Sequence, residues 1–183
     1  GLISTMKVGG GVPSIDFAPC GNKFAIACNN YNRRSYSVQI FSQEGSTGNF
    51  ACQSTLTGHT GGVMGVSFDP TGKKIVSCSR DKTIRFWDSA TGAAIGSPVK
   101  AHSDFVNAVA WSPCGQWLAS AGGDKMVYVY DAKTFEVKWP LNVGYVLKSR
   151  LFTHRTFSQI TLKIINTHPL DPLRRLYYMS KSV

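Results

Sequence analysis

Residues 58–88 read GHTGGVMGVSFDPTGKKIVSCSRDKTIRFWD, opening on Gly58-His59 and closing on Trp87-Asp88. Val63, Val66 and Phe68 make one short apolar run, Ile75, Val76 and Cys78 a second, and Ile84, Phe86 and Trp87 a third. Between the first two stands Asp69-Pro70-Thr71-Gly72. Proline presets φ near −65° there, and glycine supplies the positive φ that reverses the chain. Arg80-Asp81-Lys82 reverses it again before the third run. These are three β-strands in succession, with a fourth expected after Asp88. A single four-stranded sheet cannot bury both its faces, so it needs similar neighbours on each side.

The neighbours are in the sequence. About 43 residues on from His59, Pro70, Gly72, Asp81 and Asp88 stand His102, Pro113, Gly115, Asp124 and Asp131, with Tyr130 replacing Trp87. About 51 residues before Val63, Pro70 and Gly72 stand Val12, Pro19 and Gly21. This first copy has Val8 for the histidine and Ile26 for Ser77, and it carries an insertion at 29–37. Inner strands are expected at 12–17, 23–28 and 38–41, and again at 105–111, 117–121 and 126–130. Outer strands are expected at 52–56, 94–99 and 135–141. Residues 2–6 align with 52–56, so the chain is expected to start inside a sheet whose other strands are missing.

Gly-His early, Trp-Asp late and this period resemble the WD repeat of β-propellers. With Pro-Cys-Gly turns at Cys20 and Cys114 and a long polar connection, 41–51, ahead of Gly58-His59, the layout is similar to that of transducin beta-like proteins. The resemblance covers about residues 1–141. It implies an all-β chain: a partial propeller of about three four-stranded blades (repeats about 8–57, 58–100 and 101–141, in a domain 1–147) with a non-repeat C-terminal tail at 148–183. Propellers close with about 4–8 blades. The chain is therefore expected to be a fragment, a truncated product or part of a larger assembly, its ring completed by missing blades or another chain.

His59, Ser77 and Asp81 are the parts of a nucleophilic triad, and they recur as His102, Ser120 and Asp124. Recurrence argues against catalysis, because an enzyme needs one triad and not one per repeat. The resemblance implies instead a structural hydrogen-bond network in each blade: His59, Ser77, Asp81 and Trp87 in the second copy, His102, Ser120 and Asp124 in the third. Tyr130 puts the third network in doubt, and Val8 with Ile26 leaves the first copy without one. Gly9-Gly10-Gly11 lacks the helix and lysine of a phosphate loop, and no metal-ligand spacing stands out. No cofactor and no catalytic or metal residue is expected.

In the resembled family, partners engage residues three and five after the blade histidine and the one before the blade aspartate. These positions are Gly62, Met64 and Arg80, then Phe105, Asn107 and Gly123. Met64, Arg80, Phe105 and Asn107 are therefore the partner-binding candidates; the first three are of types that anchor interfaces. The expected function is a non-catalytic scaffold for a protein or peptide partner.

The alternative is a component of an RNA–protein particle that binds nucleic acid through its tail. The net charge is +10, and Lys148, Arg150, Arg155, Lys163, Arg174, Arg175 and Lys181 face only Asp171 in the tail. The tail thus holds more than half of the excess, and the repeats' remainder reads as charge scattered over a solvated surface. No histidine, Pro-x-Gly turn or Trp-Asp recurs at the next period, leaving open a genuine tail, a disordered one, or one foreign to the family through read-through or a shifted frame. No run of about 18 apolar residues predicts a membrane span. Five cysteines without a CxxC pair suit a reducing compartment, cytoplasmic or nuclear.

Overall fold

The computed structural model describes residues 7–45, 48–144, 151–153, 162–165 and 176–179. Residues 2–6, aligned above with 52–56, lie outside the described residues. The described secondary structure is all β. Three four-stranded antiparallel sheets follow one another along the chain. The first holds β1 (Ile15–Phe17), β2 (Lys23–Asn30), β3 (Ser35–Gln43) and β4 (Phe50–Thr57). The second holds β5 (Val63–Phe68), β6 (Lys74–Ser79), β7 (Ile84–Asp88) and β8 (Ala94–Val99). The third holds β9 (Val106–Trp111), β10 (Trp117–Gly122), β11 (Met126–Asp131) and β12 (Val137–Asn142). Sequence order is spatial order within each sheet, so every connection is a short reversal. A further antiparallel sheet joins β13 (Leu151–Thr153), β14 (Leu162–Ile165) and β15 (Leu176–Met179), and β13 runs beside β9 and β10.

The sheets stand side by side with their first strands adjacent, β1 by β5 and β5 by β9. Each middle strand is covered on both faces. Ile75 of β6 points into a core shared with Ala25, Ala27, Val38, Ile40 and Leu56 of the first sheet. Its neighbours Val76 and Cys78 point the other way, into a core shared with Val106, Val109, Leu118 and Tyr130 of the third. Burial on both faces is why these strands are nearly continuous apolar runs rather than alternating ones. Burial pushes the Cys78 thiol well above its ordinary range.

The proline-glycine turns recur with one geometry. Gly21, Gly72 and Gly115 have φ of 73°, 70° and 72°, and the amide of each donates to the carbonyl three residues back at 2.9 Å. They also nest: the Gly72 backbone lies against Pro19, and Gly115 against Pro70.

Three expectations need correction. The first inner strand begins at Ile15, not Val12, because Pro13 has no N–H for a ladder; Gly11 makes only an isolated bridge to Asn29. The insertion at 29–37 is not a detour before a strand. It lengthens the hairpin, pairing Asn29 with Tyr36 and Asn30 with Ser35, so only 31–34 form the turn. Phe135 stands before the third outer strand, in a turn with φ 60°, and its ring stacks on Phe86 of the second sheet at 3.8 Å.

Candidate functional site

Two polar clusters lie between the sheets. In the second sheet, His59 is 8 % exposed, Ser77 fully buried and Trp87 2 % exposed. His59 sits in the 58–62 connection and is held between the Asp81 carboxylate, 2.7 Å from Nδ1, and the Ser77 hydroxyl, 2.8 Å from Nε2. The Trp87 indole N–H donates to Ser77 Oγ at 2.9 Å. A single assignment satisfies every group: indole N–H to Ser77 oxygen, Ser77 O–H to Nε2, and Nδ1–H to Asp81. Asp81 also accepts from the amides of Thr60 and Thr83 and from the Thr83 hydroxyl. Burial pushes its carboxyl up, but these donors, His59 and Thr83 foremost, outweigh burial and hold it far below the usual range.

The third sheet repeats the arrangement around His102. Nε2 is 2.7 Å from Ser120 Oγ, and Nδ1 is 3.0 Å from both Asp124 oxygens. The Tyr130 hydroxyl reaches Ser120 at 2.8 Å, occupying the indole's role. The phenol thus spans the gap that made this network doubtful from sequence. Burial lowers the His102 pKa against the opposing pull of Asp124. Burial raises Asp124, but the hydrogen bonds from His102 and the Ser103 amide leave it below the ordinary value. In the first sheet Val8 and Ile26 sit with Cys28, Phe24, Phe41 and Phe50 in an apolar cluster instead.

Both ring nitrogens of each histidine are engaged, and each serine is fully buried with its hydroxyl committed. A serine nucleophile must be open to substrate, and the burial of Ser77 and Ser120 denies that at both clusters. Among the described residues, no three His, Cys, Asp or Glu side chains gather in a way that could hold a metal ion.

Above these clusters, the turns 31–34, 80–83 and 123–125 and the connections 58–62 and 100–105 share one end of the sheets. Arg80 and Phe105 meet there: the guanidinium carbon lies 5.8 Å from the ring centroid, bridging the second and third sheets. Both side chains are exposed, Phe105 at 45 %. Lys82 Nζ donates across the same seam to the Ser103 carbonyl at 2.9 Å. Met64 is half-buried against the core between these two sheets, and Asn107 is half-buried on β9. Gly62 and Gly123 serve as backbone: the Arg80 amide donates to the Gly62 carbonyl at 2.9 Å, and the Gly123 amide to the Phe105 carbonyl at 2.8 Å.

Sequence reasoning missed the contribution of the first sheet. Asn29, 2 % exposed, clamps Val63 with both ends of its amide: Oδ1 accepts from Val63 N and Nδ2 donates to Val63 O, each at 2.8 Å. Asp16 accepts from the Phe68 amide at 2.8 Å, and Ser14 from Val66 N at 3.3 Å. These side chains satisfy amides of β5, an edge strand that would otherwise present them unpaired. Burial raises the Asp16 pKa despite the Phe68 amide. The clamp brings the 31–34 turn over the second sheet, where the Tyr31 hydroxyl lies against Gly62. The departure of 29–37 from the repeat was the available signal.

The family model for "WD domain, G-beta repeat" matches residues 50–88 and 95–131. Each match begins in the outer strand of one sheet and ends in the third strand of the next, so each repeat ties two sheets together. WD repeat-containing protein 1 of Gallus gallus is 36% identical over 89 residues, 47% of this chain and 13% of that protein. Protein Mut11 of Chlamydomonas reinhardtii is 44% identical over 48 residues, 26% of this chain and 13% of that protein. Protein TOPLESS of Arabidopsis thaliana is 34% identical over 83 residues, 44% of this chain and 7% of that protein. The chain thus matches only a small part of the length of these relatives.

Proposed function

Residues 50–88 and 95–131 are WD repeats of a β-propeller, and on that premise we propose that the chain is a non-catalytic scaffold whose turn-bearing end binds a protein or peptide partner. One observation carries the reading. The polar residues that resemble catalytic parts are consumed inside the sheets, while the exposed Arg80–Phe105 pair stands on the turns above them. Function on a rigid scaffold concentrates in such loops. Arginine and aromatic side chains are also the types that carry binding energy at interfaces. Met64 and Asn107 flank the pair on the strands below.

The test is affinity capture with the wild-type chain and with Arg80→Ala/Phe105→Ala, thermal melts being recorded for both. The expected result is a partner retained by the wild type and lost by the double variant at an unchanged melting temperature. Equal retention by both proteins would remove Arg80 and Phe105 from the interface.

A further inference from the structure

The charges of the repeat region are sorted between the two ends of the sheets. The end opposite the 80–83 turn carries Glu44, Asp69, Asp88, Asp131 and Glu136 among its lysines, so acids and bases balance there. At the Arg80 end the exposed charges are mainly cationic: Arg33, Arg34, Arg80, Lys82, Lys100 and Lys125. Of the acids at this end, Asp81 and Asp124 are taken up by histidines and backbone amides, and Asp104 accepts from the Phe105 amide. What faces solvent is a positive surface interleaved with two exposed aromatic rings, Tyr31 and Phe105.

The strip is continuous. Tyr31 lies on Gly62, whose carbonyl holds the Arg80 amide; the Arg80 guanidinium covers Phe105. The tip that supplies Tyr31, Arg33 and Arg34 is fixed from below by the Asn29 clamp on Val63. Its arginines are therefore held on a braced support rather than on a free loop. Arg34 occupies this turn with φ 50°, a conformation that glycine adopts without steric cost.

We infer that the 31–34 hairpin tip and the Arg80–Phe105 pair together bind an Asp/Glu-rich peptide segment, its carboxylates on Arg33, Arg34 and Arg80 and an apolar side chain between Tyr31 and Phe105. The inference rests on the scaffold reading above and adds the partner's chemistry. A guanidinium group donates two parallel hydrogen bonds to a carboxylate, which suits separated acidic side chains. A nucleic acid fits less well. Its bases need open ring faces to stack on, but Arg80 already covers one face of Phe105.

The experiment uses the full chain and fluorescein-labelled peptides read by anisotropy. One peptide is rich in Asp and Glu around a single Leu; its controls are the Gln/Asn counterpart, a phosphoserine peptide without carboxylate side chains, and oligouridylate RNA. The wild type should bind the acidic peptide, bind the neutral one far more weakly, and lose affinity as salt is raised. Arg33→Glu/Arg34→Glu should weaken binding by about tenfold or more, as expected for reversing two contacting charges. Arg34→Gly removes one charge while relieving the positive φ, so it should weaken binding without lowering the melting temperature. Failure to bind the acidic peptide would overturn the inference, as would binding unaffected by these variants or preference for the phosphopeptide or RNA. If the captured partner still depends on Arg80 and Phe105 in those cases, the scaffold reading stands and only the acidic chemistry falls.

Discussion

Ser77→Ala is the sharpest test of how the second sheet is held. The hydroxyl is fully buried, donates to His59 Nε2 at 2.8 Å and accepts the Trp87 indole N–H at 2.9 Å. Removing one oxygen orphans both groups at once. Each buried orphan costs about 1–3 kcal/mol, so the variant should lose roughly 2–6 kcal/mol. In a chain of this size that lowers the melting temperature by roughly 4–24 °C. The assay is urea denaturation followed by tryptophan fluorescence, repeated on Trp87→Phe and on the double variant. Trp87→Phe already removes the indole donor, so Ser77→Ala should cost about 1 kcal/mol less in that background. A loss below about 0.5 kcal/mol, or strict additivity with Trp87→Phe, would refute the network as a source of stability.

Two more outcomes follow from the same geometry. Asp81 and Asp124 are held below the ordinary carboxylate value of 3.8 in the folded chain. Their contribution is therefore complete above the unfolded value and is lost as pH falls below about 4. His102 is lowered from 6.5, so stability also falls as pH drops from 6.5 toward its folded value, while the raised Asp16 acts in the opposite sense. A pH series of urea midpoints should decline on acidification, less steeply for Asp81→Asn; a flat profile in the wild type would contradict the assignment. Asn29→Ala strips both hydrogen bonds from Val63 and should cost about 2–4 kcal/mol. Amide exchange should then accelerate at Val63, and unchanged protection there would show the clamp to be idle.

Much of the fold is legible because it is local and repeated. Proline-glycine turns set reversals within a few residues, and the same turn at Gly21, Gly72 and Gly115 fixes strand order without any knowledge of packing. The polar cluster is legible for the same reason: His59, Ser77 and Asp81 recur by position as His102, Ser120 and Asp124. The third cluster was harder. Whether a phenol can replace an indole depends on the distance across two strands, which sequence spacing does not contain; the backbone brings Tyr130 to 2.8 Å from Ser120. Phe135 was misplaced because its apolar character suits an outer strand. Its burial comes instead from stacking on Phe86 of the neighbouring sheet.

The sequence by itself determined the all-β class, the repeat, the blade order and the polar network of the second sheet. All are encoded in residues close along the chain or at a fixed period. Tertiary structure alone decided the rest. It turned the 29–37 insertion into a hairpin clamped on β5, and it set Arg80 of one sheet over Phe105 of the next. It also converted charge scattered along the chain into a basic end and a balanced end. Antiparallel strands send alternate turns to opposite ends of a sheet, so charges that alternate along the sequence are sorted apart in space.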